Sequence, residues 1–168
     1  MGKSSRAKIF KDIENLISEL HPIGSDPRHL TIASGGFDCL HLGHLDYIQD
    51  ASNLMPELNP LLLVVVNGED WVKRKKGYEF MPEIERANIV AGISGVDYVL
   101  IWDDGTPTVS GVIEKLIPDF FAKGGDRDSE ANVPEYALCK SIDCKVIFNV
   151  GGSKIQSSSN LIRKVRSS

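Results

Sequence analysis

Apolar positions along the chain switch between two spacings, and the switches outline an alternating series of strands and helices. Over residues 5–20, Ile9, Phe10, Ile13, Leu16, Ile17 and Leu20 recur at helical spacing. They predict one amphipathic helix, ended by Pro22, Gly24 and Pro27 and packed on the main domain as an accessory. Residues 30–34 read as a short strand, and a helix follows from near His44 to about Leu54. Residues 61–66 are an unbroken aliphatic run, the pattern of a strand buried on both faces. Next comes a predicted helix over 82–94, with Ile84, Ile89 and Val90 towards the core. Strands over 98–102, 118–122 and 145–149 then alternate with helices over 109–116, 134–141 and 159–166. This alternation predicts an α/β fold, a parallel sheet with helices on both faces. Residues 1–29 form an N-terminal helix and loop, and 30–168 form the main domain.

In such a sheet, ligands bind beyond the carboxyl ends of the strands. Four unusual segments fall there: residues 35–44, 67–77, 123–127 and 151–159. The fold would bring them to one edge.

Composition narrows the class. The 168 residues are 42% hydrophobic and 25% charged, which excludes disordered, collagen-like and coiled-coil proteins. Nineteen Lys and Arg against 23 Asp and Glu give a net charge of −4, so nucleic-acid binding through a bulk basic surface is not expected. Cys39, Cys139 and Cys144 form no C-x-x-C pair and read as free thiols of a reducing compartment. No signal peptide or membrane-length apolar run is visible, so the expected location is cytoplasmic, with no membrane partner.

The chemistry-bearing residues sit in the four segments. In S-G-G-F-D-C-L-H-L-G-H, His41 and His44 flank Gly43 at a predicted helix start, after Gly35, Gly36, Phe37 and Asp38. A helix N-terminus offers unpaired N–H groups and the positive end of a dipole, Gly43 permits close approach, and two imidazoles add donors for phosphate oxygens. A zinc site would need Asp38 as third ligand and is weakly supported. Four cations, Lys73-Arg74-Lys75-Lys76, follow Asn67 and read equally as a solvated turn or a phosphate contact. Glu83-Ile84-Glu85-Arg86 reads, on local grounds, as a surface salt-bridge face. Lys123-Gly124-Gly125-Asp126-Arg127 ends a strand with a flexible turn bearing both charges. Ser157, Ser158 and Ser159, after Gln156, open the last helix as an N-cap and a second phosphate cradle, with Arg163 one turn on. Neither a P-loop nor a nucleophile elbow occurs.

From Ile32 to Lys164 these motifs resemble the cytidylyltransferase-like nucleotidyltransferases, which carry H-x-G-H on a Rossmann-like sheet. Residues 35–44 resemble that family's G-x-F-D-x-x-H-x-G-H, with Gly36 where Thr, Ser or Cys is more common. Residues 65–77 resemble its stretch bearing a phosphate-binding lysine, here Lys76. Residues 85–99 resemble its E-R segment, which makes Arg86 a nucleotide-site residue, and 156–163 resemble its closing serine motif. The block 103–126, with T-P after the strand and K-G-G-D at its end, is similar to heptose-1-phosphate adenylyltransferases of lipopolysaccharide precursor synthesis. Residues 124–135 and 148–156 depart from those enzymes, and the N-terminal helix is extra.

The resemblance implies a Rossmann-like three-layer sandwich that transfers a nucleoside monophosphate, most simply from ATP, to a sugar phosphate such as heptose 1-phosphate, releasing pyrophosphate. It implies His41 and His44 at the α-phosphate and Lys76 between the two anions. Ser158 and Ser159 would lie at the β- and γ-phosphates, with Asp38 orienting one end. Asn67, Lys123, Gly124, Gly125 and Asp126 would face the acceptor or base. Mg²⁺ would travel with the triphosphate rather than on side chains, and the protein would be a homodimer. The alternatives are a cytidylyltransferase for glycerol 3-phosphate or a related phosphomonoester, and a non-catalytic nucleotide-binding module.

Overall fold

The aliphatic run is strand β3 (Leu61–Asn67), and its alternation explains why the sheet is covered twice. Leu63 and Val65 face one side of the sheet, Leu62, Val64 and Val66 the other, and all five are buried. The computed structural model describes residues 5–21, 28–153 and 156–167. The turn expected at Pro22, Gly24 and Pro27 lies outside them. The other strands are β1 (Lys8–Phe10), β2 (Leu30–Gly35), β4 (Tyr98–Trp102), β5 (Phe120–Gly124) and β6 (Lys145–Val150). The helices are α1 (Ile13–Leu20), α2 (Leu42–Ser52), α3 (Glu69–Lys76), α4 (Glu83–Ala91), α5 (Ser110–Leu116), α6 (Tyr136–Ser141) and α7 (Ser158–Arg166), with a 3₁₀ turn at Glu130–Asn132.

The strands form one sheet in the order β1-β4-β3-β2-β5-β6, every neighbouring pair parallel. On one face, Ile13 and Leu16 of α1, Val112 and Ile113 of α5 and Cys139 of α6 pack on Leu63, Val65 and Phe121. On the other, Ile48 and Ala51 of α2 and Ala87 and Val90 of α4 pack on Val64, Val66 and Ala122. The result is the expected Rossmann-like α/β sandwich. From β2 the chain works outward through β3 and β4, then crosses to β5 and β6 on the other side. The carboxyl ends of β2 and β5 therefore flank the point where strand order reverses, the place for a crevice.

Three expectations need correction. The helix expected over 5–20 begins only at Ile13, while Lys8–Phe10 pairs with β4 as an edge strand. Asp12 resets the chain: its carboxylate accepts from the Asn15 N–H at 3.0 Å as a helix N-cap. In α4, Ile84 and Ile89 are exposed rather than buried, whereas Arg86, Ala87 and Val90 face inward. A buried arginine, with carbonyls to satisfy, sets the helix's rotation. Finally, the four-cation run is the last turn of α3 rather than a loop, ended by Gly77 at φ 82°.

Candidate functional site

A cleft of about 400 Å³ opens at the reversal point. It is lined by Gly35, Gly36, Phe37, His41, Gly43 and His44 from the β2–α2 connection, and by Asn67 and Lys76 from β3 and α3. Lys123, Gly124, Gly125 and Asp126 enter from β5, and Ser157, Ser158 and Ser159 from the start of α7. All four segments thus meet. Of the residues the family resemblance assigned to the site, only Asp38 and Arg86 do not line the cleft; both are buried beneath it.

Those two hold its floor. The Asp38 carboxylate accepts from the Phe80 and Met81 N–H groups at 2.8 and 2.7 Å. Arg86 Nη1 donates to the carbonyls of Gly36 (2.7 Å) and Asn67 (2.6 Å), and Nε to that of Met81 (2.8 Å). One guanidinium therefore ties together the ends of β2 and β3 and the segment before α4. The surface salt-bridge face expected for residues 83–86 is not formed: Glu83 instead accepts from the Glu69 N–H at the start of α3.

The histidine pair is tightly placed. His44 Nδ1 accepts from the His41 backbone N–H at 3.3 Å, which assigns the ring proton of neutral His44 to Nε2. The two imidazoles stack at 3.8 Å between centroids, and Phe37 meets His44 edge-on at 5.2 Å. Phe37 in turn sits against Gly35, where a Cβ would come within 3.1 Å of its ring. At Gly36 the nearest atoms to an added Cβ are 3.7 Å away, so this position has room for a methyl group.

The four cations separate, because consecutive helical residues point about 100° apart. Lys73 lies 3.6 Å from both Glu69 and Glu79, and Arg74 pairs with Asp103 at 2.6 Å. Lys75 stands over the Trp71 ring, 4.7 Å from its centroid. Lys76 is half-buried; its Nζ donates to the Asp38 carbonyl at 2.7 Å, and burial lowers its pKa below the ordinary lysine value. Only Lys75 and Lys76 of the four line the cleft.

The last helix is fastened to the first motif. Ser157 caps α7 by accepting from the Asn160 N–H at 3.1 Å. Ser158 Oγ donates to the Cys39 carbonyl at 2.8 Å. Ser159 lines the cleft beside them. Two helix N-termini, of α2 and α7, thus open on one space, which suits a polyanion.

Among the lining residues missed from the sequence, two carry polar contacts in the cleft wall. Tyr47, on α2, donates its hydroxyl to the Ala122 carbonyl at 2.8 Å and accepts from the Ser34 N–H at 3.1 Å, joining the tips of β2 and β5. Its place one turn after His44 was the available signal. Glu135 is buried at the start of α6, 3.9 Å from Lys123 Nζ. Nothing in the local sequence distinguishes it.

The fold and the cleft define a Rossmann-like α/β protein that gathers helix N-termini, histidines and lysines around one anion-sized space. Residues 32–165 match the family model described as cytidylyltransferase-like. The chain belongs to that family of nucleotidyltransferases. Bifunctional protein HldE of Citrifermentans bemidjiense is 35% identical over 170 residues, covering 99% of this chain and 33% of its own length. The HldE of Nitratiruptor sp. is 39% identical over 121 residues, 71% of this chain and 24% of its own. The chain therefore spans a quarter to a third of these relatives. The lipopolysaccharide core biosynthesis protein of Thermoplasma volcanium shares the fold, with a TM-score of 0.58 and 24% identity, over 72% of this chain and 95% of its own. Among the described residues, no helix is long and apolar enough to cross a membrane.

Proposed function

We propose that this chain transfers a nucleoside monophosphate from ATP to a sugar phosphate, with heptose 1-phosphate as the acceptor class, and releases pyrophosphate. The observation that carries the reading is the convergence of His41, Gly43, His44, Lys76 and the serine-capped start of α7 on one cleft. The acceptor's phosphate needs no protein nucleophile, since its second pKa of about 6 leaves it mostly dianionic at pH 7. The protein's work is to align two anions and to stabilise charge building at the α-phosphorus.

His44 supports this role through its assigned Nε2–H, and His41 through its place at the α2 N-terminus. Lys76 offsets repulsion between the two substrates. The α7 N-terminus with Ser159 receives the β- and γ-phosphates, while Ser158 keeps it registered against residue 39. Gly35, Gly36 and Phe37 shape the wall, and Asp38 and Arg86 act from beneath. Lys123, Gly124, Gly125, Asp126 and Asn67 face the acceptor or the nucleoside. Among the described residues no group of three or more His, Cys, Asp or Glu is arranged to hold a metal ion. Mg²⁺ enters on the triphosphate with most of its waters, screening phosphate charge. The working form in this reading is a cytoplasmic homodimer.

The test is pyrophosphate release with Mg²⁺, each of ATP, CTP, GTP and UTP, and heptose 1-phosphates or glycerol 3-phosphate. Release with ATP and a heptose 1-phosphate is the expected result. Release only with CTP and glycerol 3-phosphate would replace the substrates and keep the chemistry. Nucleotide binding without release under any pairing would replace the enzyme with a binding module.

A further inference from the structure

One side of the cleft carries polar atoms that the phosphate reading does not use. Along β3, Leu63 and Val65 face the layer of α5 and α6, so Asn67, two residues on, lies on that same face. Along β5, Phe121 faces that layer, and Lys123 follows at the same spacing. Glu135 approaches from just before α6. All three line the cleft.

Asn67 and Glu135 are each only 4% exposed. Asn67 Oδ1 and Glu135 Oε2 are buried acceptors with no hydrogen-bond donor. The Glu135 carboxylate is held in orientation, because Oε1 accepts from the Val109 N–H at 3.2 Å. Its other oxygen stands 3.9 Å from Lys123 Nζ. That is an ion-pair distance, about 1 Å too long for a charge-assisted hydrogen bond.

A buried carboxylate oxygen beside an ammonium normally closes on it. Here the gap remains, and the group that bridges it must donate to Oε2 and accept from Nζ. A hydroxyl does both; an ammonium cannot accept, and a carboxylate or phosphate oxygen cannot donate. Asn67 Oδ1 likewise requires a donor.

We propose that Glu135, Lys123 and Asn67 form a subsite for the hydroxyl groups of a sugar: one hydroxyl bridges Glu135 Oε2 and Lys123 Nζ, and another donates to Asn67 Oδ1. The inference rests on the transfer reading for its two candidate sugars, the acceptor's and the nucleotide's ribose. The chemistry recognised is the same for both. Glu135 becomes the specificity-determining residue that the sequence did not reveal.

The test is equilibrium titration of the full chain and of Glu135→Gln with Mg²⁺. One arm uses ATP, 2′-deoxy-ATP and 3′-deoxy-ATP. The other uses heptose 1-phosphate and inorganic phosphate, which presents no sugar hydroxyl. A glutamine turns one oxygen into a donor and cannot receive the bridging hydroxyl's proton beside Lys123. Hydrogen bonds to charged groups are strong enough that a loss of at least tenfold is expected for the hydroxyl-bearing ligand of one arm. Its deoxy or phosphate counterpart should change less than twofold. The arm that responds identifies the sugar.

Equal weakening of both members of each pair, or no weakening, overturns the proposal. Lys123→Met removes the donor half without touching the Val109 contact, and must show the same hydroxyl-selective loss. It keeps the test decisive if Glu135→Gln disturbs α5. Failure of the parent chain to bind either substrate would instead refute the transfer reading itself.

Discussion

Replacing Tyr47 by Phe removes one oxygen and keeps the ring that packs between α2 and the sheet. That oxygen serves two strands: it donates to the Ala122 carbonyl at 2.8 Å and accepts from the Ser34 N–H at 3.1 Å. Burial pushes its pKa well above the ordinary tyrosine value, so it is a neutral hydroxyl at any working pH. The two orphaned groups differ in what can replace it. Ala122 is fully buried and its carbonyl loses one of two acceptor sites with no water at hand, a cost of about 1–2 kcal/mol. Ser34 borders the cleft, where water can reach its N–H, so its share is about 0.5–1 kcal/mol. The sum, roughly 2 kcal/mol, corresponds to a fall of about 4–8 °C in Tm for a chain of this size. Urea denaturation followed by circular dichroism should show a lower midpoint at an unchanged slope. A shift equivalent to less than about 0.5 kcal/mol would refute the reasoning, because it would mean that these buried groups have other partners. Loss of this bridge beneath the cleft should also weaken nucleotide binding, by severalfold.

His44→Ala should lower kcat at least about a hundredfold while leaving the circular dichroism spectrum unchanged, the size typical of losing a charge-stabilising donor; near-normal turnover would remove its assigned role. The Lys76 ammonium is needed charged, and burial lowers its pKa from 10.5. Activity as kcat/KM should therefore fall as pH rises through that lowered pKa, below the ordinary lysine range. In Lys76→Arg, which stays charged, this alkaline limb should move upward; an unmoved limb would assign it to another group. Gly35→Ala places a methyl 3.1 Å from the Phe37 ring and should destabilise the fold and disturb the His44 packing. Gly36→Ala meets only ordinary contacts at 3.7 Å and should melt close to the parent.

The parallel sheet was legible because β3 is aliphatic from Leu61 to Val66 and because the predicted strands alternate with helices. The four strand-end segments were legible as well, since their histidines, cations, glycines and serines fall just after predicted strands, where such a sheet binds ligands. The errors have local causes. At the N-terminus, Ile9 and Phe10 fit a helical stripe with Ile13 and Leu16, but an open edge of β4 offers them ladder hydrogen bonds, and Asp12 supplies the break. Helix α3 was hidden by its brevity and charge. Its acids Glu69 and Asp70 in the first turn, cations in the last and Gly77 beyond were the visible signs. Arg86 is the harder case: besides the nearby Met81 carbonyl, its burial depends on the carbonyls of Gly36 and Asn67 from distant segments, which no window of sequence displays. Glu135 shares that difficulty, because what marks it is the Val109 N–H and Lys123 beside it.

The most direct measurement is ³¹P NMR of the parent chain with Mg²⁺, ATP and heptose 1-phosphate, read for which phosphate bond breaks. Cleavage is expected between the α- and β-phosphates, with pyrophosphate and a new sugar diphosphate doublet pair appearing in equal amounts. Both should be suppressed in His44→Ala. Appearance of inorganic phosphate from the γ position, with the α–β bond intact, would contradict the transfer reading.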